Sequence, residues 1–134
     1  MNENSKVTSS RKTILFVDDE TEARKIFSEV LSDMGYDVII EPDGLSALTV
    51  IRQGVPIDLV ITDYRMPDMD GLDLVTTLRK VQPSIPIIMM TAHGDIENYF
   101  RSLSLGVFEY INKPIGKREF EHLVRAALHE SEAA

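Results

Sequence analysis

At 134 residues, with 43% hydrophobic and 27% charged content, the chain suits one soluble globular domain and leaves little room for a second. Its net charge of −8 argues against a nucleic-acid surface as the main function, and the absence of cysteine excludes disulfides and thiolate metal sites. No apolar run approaches the roughly 20 residues of a bilayer span, and the polar stretch 1–12 lacks the apolar segment of a secretory signal, so a cytoplasmic location is the default expectation.

Residues 1–12 read as a flexible lead-in to a domain over 13–130, with a frayed tail at 131–134. The short apolar run 14–17 reads as a strand buried on both faces. Ala23, Ile26, Phe27, Val30, Leu31 and Met34 then recur at helical spacing, and Gly35 stops that helix. Residues 38–40 give a second strand, and Leu45, Leu48 and Ile51 mark a second helix ended by Gly54. A third strand over 57–62 leads through a loop rich in Pro and Asp to a helix carrying Leu72, Val75 and Leu78. A fourth strand over 85–90 tolerates Pro86 near its start. Ile96, Phe100 and Leu103 form a helical stripe ending before Gly106, residues 108–111 give a fifth strand, and Phe120, Leu123, Val124, Ala127 and Leu128 line the last helix. Strands alternating with helices predict an α/β fold, a parallel sheet wound on both faces.

The strand ends carry the chemistry. The first run ends on Asp18 and Asp19, the third on Asp63, the fourth on Thr91, and the fifth leads to Lys113 and Pro114. In a parallel sheet these ends share one edge, where open α/β sheets place their sites. Three close carboxylates repel one another and raise each other's pKa, a conflict that a hard divalent cation removes. Few protein ligands and open water positions suit Mg²⁺ better than a closed calcium cage. Asp68, Met69, Asp70 and Gly71 do not make a calcium loop, because Met66 and Thr77 would stand where oxygen ligands are required and the last of them should be Glu. Asp70 reads instead as a helix N-cap. His93, His122 and His129 are too scattered for a metal site, although His93 is near enough to Thr91 to reach the pocket mouth. Met66, Met69, Met89 and Met90 read as gap-filling residues.

From Thr13 to about Leu128 the chain resembles the receiver domains of two-component response regulators. The resemblance rests on Val17, Asp18, Asp19 and Glu20; Asp63, Tyr64, Arg65, Met66 and Pro67; Asp70 and Gly71; Thr91 and Ala92; Tyr110; and Lys113 with Pro114. It implies a flavodoxin-like doubly wound sheet of five parallel strands in the order 2-1-3-4-5 with about five helices, an order known for that class rather than derived from spacing. It also implies that Asp63 is the phosphoacceptor. Mg²⁺ would be bound by Asp19, Asp63 and the backbone carbonyl of Arg65, with Asp18 acting through water. Thr91 would hydrogen-bond the phosphoryl group and Lys113 would pair with it. Tyr110 would turn inward with Thr91, and the Lys113–Pro114 bond would be cis. Read from the residues alone, Tyr110 is a half-buried strand aromatic and Pro114 a trans proline.

The implied partners are a sensor histidine kinase or phosphotransfer protein, and an output domain or partner protein that reads the face of helix 4, strand 5 and helix 5. The resemblance also allows a homodimer formed on phosphorylation, with no membrane or direct nucleic-acid contact. Such a domain is a signalling module, catalysing only its own phosphorylation and dephosphorylation. The stretches 91–98 and 105–110 look most like receivers of nitrogen-regulator-type activators. Tyr99 stands where the family usually has a small residue, so it packs either in the core or on the signalling face. The alternative reading is a haloacid-dehalogenase-like phosphatase, whose paired acids Asp18 and Glu20 mimic weakly. A flavodoxin-like electron carrier is a third, but the loop Asp18, Asp19 and Glu20 would repel a flavin phosphate.

Overall fold

The structure, a computed structural model, describes residues 11–92 and 96–130. The ten elements alternate: β1 (Thr13–Val17), α1 (Thr21–Asp33), β2 (Asp37–Glu41), α2 (Gly44–Arg52), β3 (Leu59–Asp63), α3 (Gly71–Val81), β4 (Ile87–Thr91), α4 (Ile96–Ser104), β5 (Glu109–Asn112) and α5 (Lys117–Ala127). The five strands form one parallel sheet in the order β2-β1-β3-β4-β5, the doubly wound arrangement expected.

Alternate residues of each strand point to opposite faces, and the core is split accordingly. Leu15, Val17, Val60, Ile87 and Met89 pack against Leu48 and Ile51 of α2 and Leu74 and Leu78 of α3. Ile14, Phe16, Leu59, Ile61, Ile88 and Met90 pack against Leu31 of α1 and Phe120, Val124 and Ala127 of α5. The rings of Phe16, Phe27 and Phe120 form a chain within the second layer, with centroids 5.4 and 4.9 Å apart. Both sheet faces are therefore dry, and the polar strand residues are driven to the strand ends.

Several expectations shift. β3 and β4 begin two residues later than their apolar runs. Ile57 and Ile85 are buried without pairing, and Pro86, which has no N–H, contributes its carbonyl to Val60 just before β4 starts. Both strands instead run on through Asp63 and Thr91. Phe108 lies before β5 and is exposed. Ile26 and Leu45 belong to their helices but face outward. The helical stripe expected over 96–103 is present as α4, and the structure shows which way it faces. Phe100 and Leu103 of its apolar stripe are 62% and 44% exposed, whereas Asn98 and Ser102 are buried. The Ser102 hydroxyl satisfies itself by donating to the Asn98 carbonyl at 2.8 Å, which lets a polar face enter the core side. Of the lead-in, Arg11 and Lys12 are described. They hold Tyr36 and Asp37 on one side and Leu128 and Glu130 on the other. The remaining lead-in, the tail 131–134 and His93 lie outside the described residues.

Candidate functional site

The carboxyl edge of the sheet holds a pocket of about 250 Å³ lined by Asp19, Glu20, Asp63, Arg65, Thr91, Ala92 and Lys113. Parallel pairing sets its floor: Val17 is in register with Thr62, Asp63 with Met90 and Thr91 with Asn112, so the ends of β1, β3, β4 and β5 are level. Carboxylate oxygens of Asp18, Asp19 and Asp63 all lie within 4.8 Å of one another.

Each member is held differently. The Asp18 side chain is 1% exposed, and both of its oxygens are engaged: Oδ1 accepts from the Glu20 N–H at 2.9 Å and Oδ2 from Lys113 Nζ at 2.9 Å. Its backbone is tied down by its own N–H donating to the Glu41 carbonyl and by Arg24 Nη1 donating to its carbonyl at 2.8 Å. Asp19 is exposed at the pocket rim and takes no hydrogen bond among the described residues. Asp63 accepts from Lys113 Nζ at 3.3 Å through Oδ2 and, weakly, from the Arg65 N–H at 3.4 Å through Oδ1.

Thr91, fully buried, ends β4, and its carbonyl accepts from the Lys113 N–H at 2.7 Å. That bond brings the chain after β5 across to β4, and the Lys113–Pro114 peptide, which is cis, follows directly. The Lys113 ammonium thus bridges two carboxylates at a site where three converge.

The electrostatics follow. Burial raises the Asp63 pKa above the ordinary aspartate value, and Asp18 adds to the rise, while Lys113 and the Arg65 N–H oppose it. Burial alone would lower the Lys113 pKa, but the Asp18 and Asp63 carboxylates more than offset it and the ammonium is held more firmly. Lys113 pairs with two of the three converging carboxylates, Asp18 and Asp63, and not with Asp19. The donor set, carboxylate oxygens opening on a polar pocket, fits a hard divalent cation such as Mg²⁺.

Tyr110 is buried in the α2–α3 layer of the core, and the Tyr99 ring meets it edge-on at 5.8 Å. Tyr99 itself is partly exposed and contacts Phe100 at 5.6 Å, which places it on the surface over strand β5. Asp70 caps α3, its carboxylate accepting from the Asp73 N–H at 2.9 Å. Met89 and Met90 are buried, Met66 and Met69 pack partly against the core, and His122 and His129 are exposed on or near α5. Sequence reasoning assigned no role to Arg24 or to the Glu20 N–H. Their contacts depend on the turn after β1, which no residue spacing encodes.

A profile of the response regulator receiver domain family matches residues 14–125, and the chain belongs to that family. A receiver domain protein described as CheY-like, from Methanospirillum hungatei JF-1, superimposes with a TM-score of 0.86 at 32% identity, over 90% of this chain and 95% of that one. A second, from Clostridium thermocellum, gives 0.82 at 28% identity, over 88% and 94%. The chain is also 41% identical over 123 residues to a probable transcriptional regulator, ycf27, of Cyanophora paradoxa, covering 92% of this chain and 51% of that protein. With the transcriptional regulatory protein GlrR of Escherichia coli (strain K12) it shares 36% identity over 121 residues, 90% of this chain and 27% of that one. The chain spans about half the length, or less, of these curated relatives. Family membership counts against the phosphatase alternative. No described helix is long and apolar enough to cross a membrane.

Proposed function

We propose that this chain is the phosphoacceptor of a two-component pathway, with Asp63 as the residue phosphorylated. The observation that carries the reading is the convergence of Asp18, Asp19 and Asp63 within 4.8 Å, bridged by Lys113. In the transfer, an Asp63 carboxylate oxygen bonds to phosphorus while the P–N bond of a phosphohistidine donor breaks, or the P–O bond of acetyl phosphate with acetate leaving. Burial keeps the Asp63 carboxylate a stronger base than an exposed one, which favours attack. Lys113 stays protonated and can follow the new phosphoryl oxygens from its present place 3.3 Å from Asp63.

Asp19, Asp63 and the Arg65 carbonyl would hold Mg²⁺ directly, with Asp18 acting through water. Asp18 suits the outer role because its two oxygens already serve Glu20 and Lys113. When bound, the ion supplies positive charge against the equatorial phosphoryl oxygens. The Thr91 hydroxyl donates to the phosphoryl group only after it arrives, and a contact made in one state alone is what a switch requires.

The readout is the face of α4, β5 and α5. Its support is α4, which turns Tyr99, Phe100 and Leu103 outward, and Tyr99, whose ring meets Tyr110 of β5. A sensor histidine kinase or phosphotransfer protein would be the donor, and an output domain or separate partner the reader.

Incubation with acetyl phosphate and Mg²⁺ should add one phosphate by intact mass, and Asp63→Asn should abolish it. Labelling of that variant at the normal rate, or of the parent chain equally well in EDTA, overturns the assignment.

A further inference from the structure

Gly71 opens α3, eight residues beyond the last residue of β3, and belongs to no part of the chemistry above. Its surroundings are nevertheless the phosphoacceptor's own backbone. A β-carbon built on Gly71 would stand 2.6 Å from the carbonyl oxygen of Asp63, 2.9 Å from the α-carbon of Tyr64 and 3.2 Å from the terminal methyl of Met89. The first two neighbours are main chain and cannot swing aside. The Gly71 N–H donates to the Tyr64 carbonyl at 2.7 Å. Residues 64–70 are thus a closed loop whose two ends touch. The loop is drawn tight by a turn at Asp68, which is left-handed at φ 69° and lies under a Met69 N–H to Pro67 carbonyl bond of 2.7 Å. Asp70 fixes its far end by capping α3.

We propose that Gly71 is a positioning residue for phosphoryl transfer: the absence of a side chain there sets the peptides of Asp63 and Tyr64, and through them the Asp63 carboxylate and the Arg65 carbonyl. The proposal rests on the phosphoacceptor reading above. Any side chain at position 71 must displace the carbonyl of the nucleophile's own residue. The next peptide carries the Arg65 N–H, which touches Asp63 Oδ1 at 3.4 Å, so nucleophile and loop move together. The neighbouring Gly44 shows the contrast. A β-carbon there meets the flexible Met69 side chain at 2.8 Å, which can give way.

The test compares Gly71→Ala with Gly54→Ala. Gly54 ends α2 at φ +83° with nothing within 4 Å of a built β-carbon, so alanine there costs stability through backbone strain alone. Magnesium affinity is read by calorimetry, labelling by acetyl phosphate through intact mass, and stability by urea unfolding. Expected is a magnesium affinity at least about tenfold weaker and labelling about a hundredfold slower in Gly71→Ala, the scale of an ångström-sized misplacement. Gly54→Ala should match the parent in both despite its lost stability. Parent-like affinity and labelling in Gly71→Ala overturn the proposal, as does an equal loss in Gly54→Ala. If the parent itself neither binds Mg²⁺ nor labels at Asp63, the phosphoacceptor reading fails and this proposal with it. Should Gly71→Ala not fold, amide resonances of the parent decide: the Gly71 signal must shift with those of Tyr64 and Arg65 on adding Mg²⁺, and a Gly71 signal that stays fixed while Arg65 moves overturns the proposal.

Discussion

Three aspartates converge in one cluster, and each meets a different cost. Asp18 is buried deepest but has the Glu20 N–H and the Lys113 ammonium, so its charge is compensated. Asp63 is compensated only in part, and its pKa rises through burial. Asp19 is exposed, which leaves its carboxylate open to a metal. One magnesium titration series separates these roles. Asp19→Ala should weaken binding more than about tenfold, because a direct oxygen ligand is lost. Thr91→Ala should bind nearly as the parent does, because only a phosphoryl contact is lost. Lys113→Ala should bind more tightly, because the competing cation is gone, yet label poorly. Equal affinities for the Asp19 and Thr91 variants would contradict the scheme, as would weaker binding by the Lys113 variant. At this scale the sequence was highly legible, since Asp18, Asp19, Asp63, Thr91 and Lys113 all follow apolar runs and do meet at one edge. The Lys113–Asp18 bond and the Arg24 anchor were not legible, because a side chain's reach across a turn leaves no periodic trace.

At the level of elements, an apolar run reports burial rather than pairing. Ile57 and Ile85 are buried in the connections that enter the sheet, so their runs read as strand two residues early. Helical periodicity likewise reports a face but not which medium it meets. The stripe of Phe100 and Leu103 is regular, yet it faces outward while Asn98 and Ser102 are buried, the Ser102 hydroxyl donating to the Asn98 backbone carbonyl. One tie that no pattern announces is Arg79 on α3. Its Nε, Nη1 and Nη2 donate to the carbonyls of Leu105 at 2.7 Å, Ile85 at 2.7 Å and Gly106 at 2.8 Å. A planar fork satisfies three diverging carbonyls at once, joining α3 to the turns before β4 and β5, and an ammonium cannot reach all three. Arg79→Lys should therefore lose about 1–2 kcal/mol of stability, roughly one or two hydrogen bonds of this kind. Urea unfolding with an unchanged slope is the measurement. A variant as stable as the parent would mean that water serves those carbonyls equally well.

The whole molecule has a functional edge and a structural one. The carboxyl ends of the strands carry the pocket, and the opposite edge ties the two ends of the described chain. There Lys12 meets the Leu128 carbonyl and Glu130, Arg11 meets Asp37, and the Tyr36 hydroxyl donates to Glu130. Tyr36 is buried, and its pKa is pushed well above the ordinary 10.0, first by burial and then by its bond to the Glu130 carboxylate and that group's charge. The sign of the linkage is definite. Below pH 10 the phenol is protonated in both folded and unfolded chains, so the contribution of its bond to stability is fully present. Above pH 10 the unfolded chain releases its proton while the folded chain must keep it, so stability falls as pH rises. Tyr36→Phe removes the hydroxyl, and the half-exposed Glu130 keeps water and Lys12 as partners. At neutral pH the variant should be less stable by about 1 kcal/mol, the net worth of one such bond. Lysines also titrate above pH 10, so the informative quantity is the difference between parent and variant, measured by urea unfolding across the alkaline range. That difference should shrink as pH rises past 10 and then reverse, leaving the phenylalanine form the more stable of the two. Parallel curves from neutral to strongly alkaline pH would show that Tyr36 ionises as freely in the fold as outside it, and that its bond to Glu130 does not tie the ends of the domain.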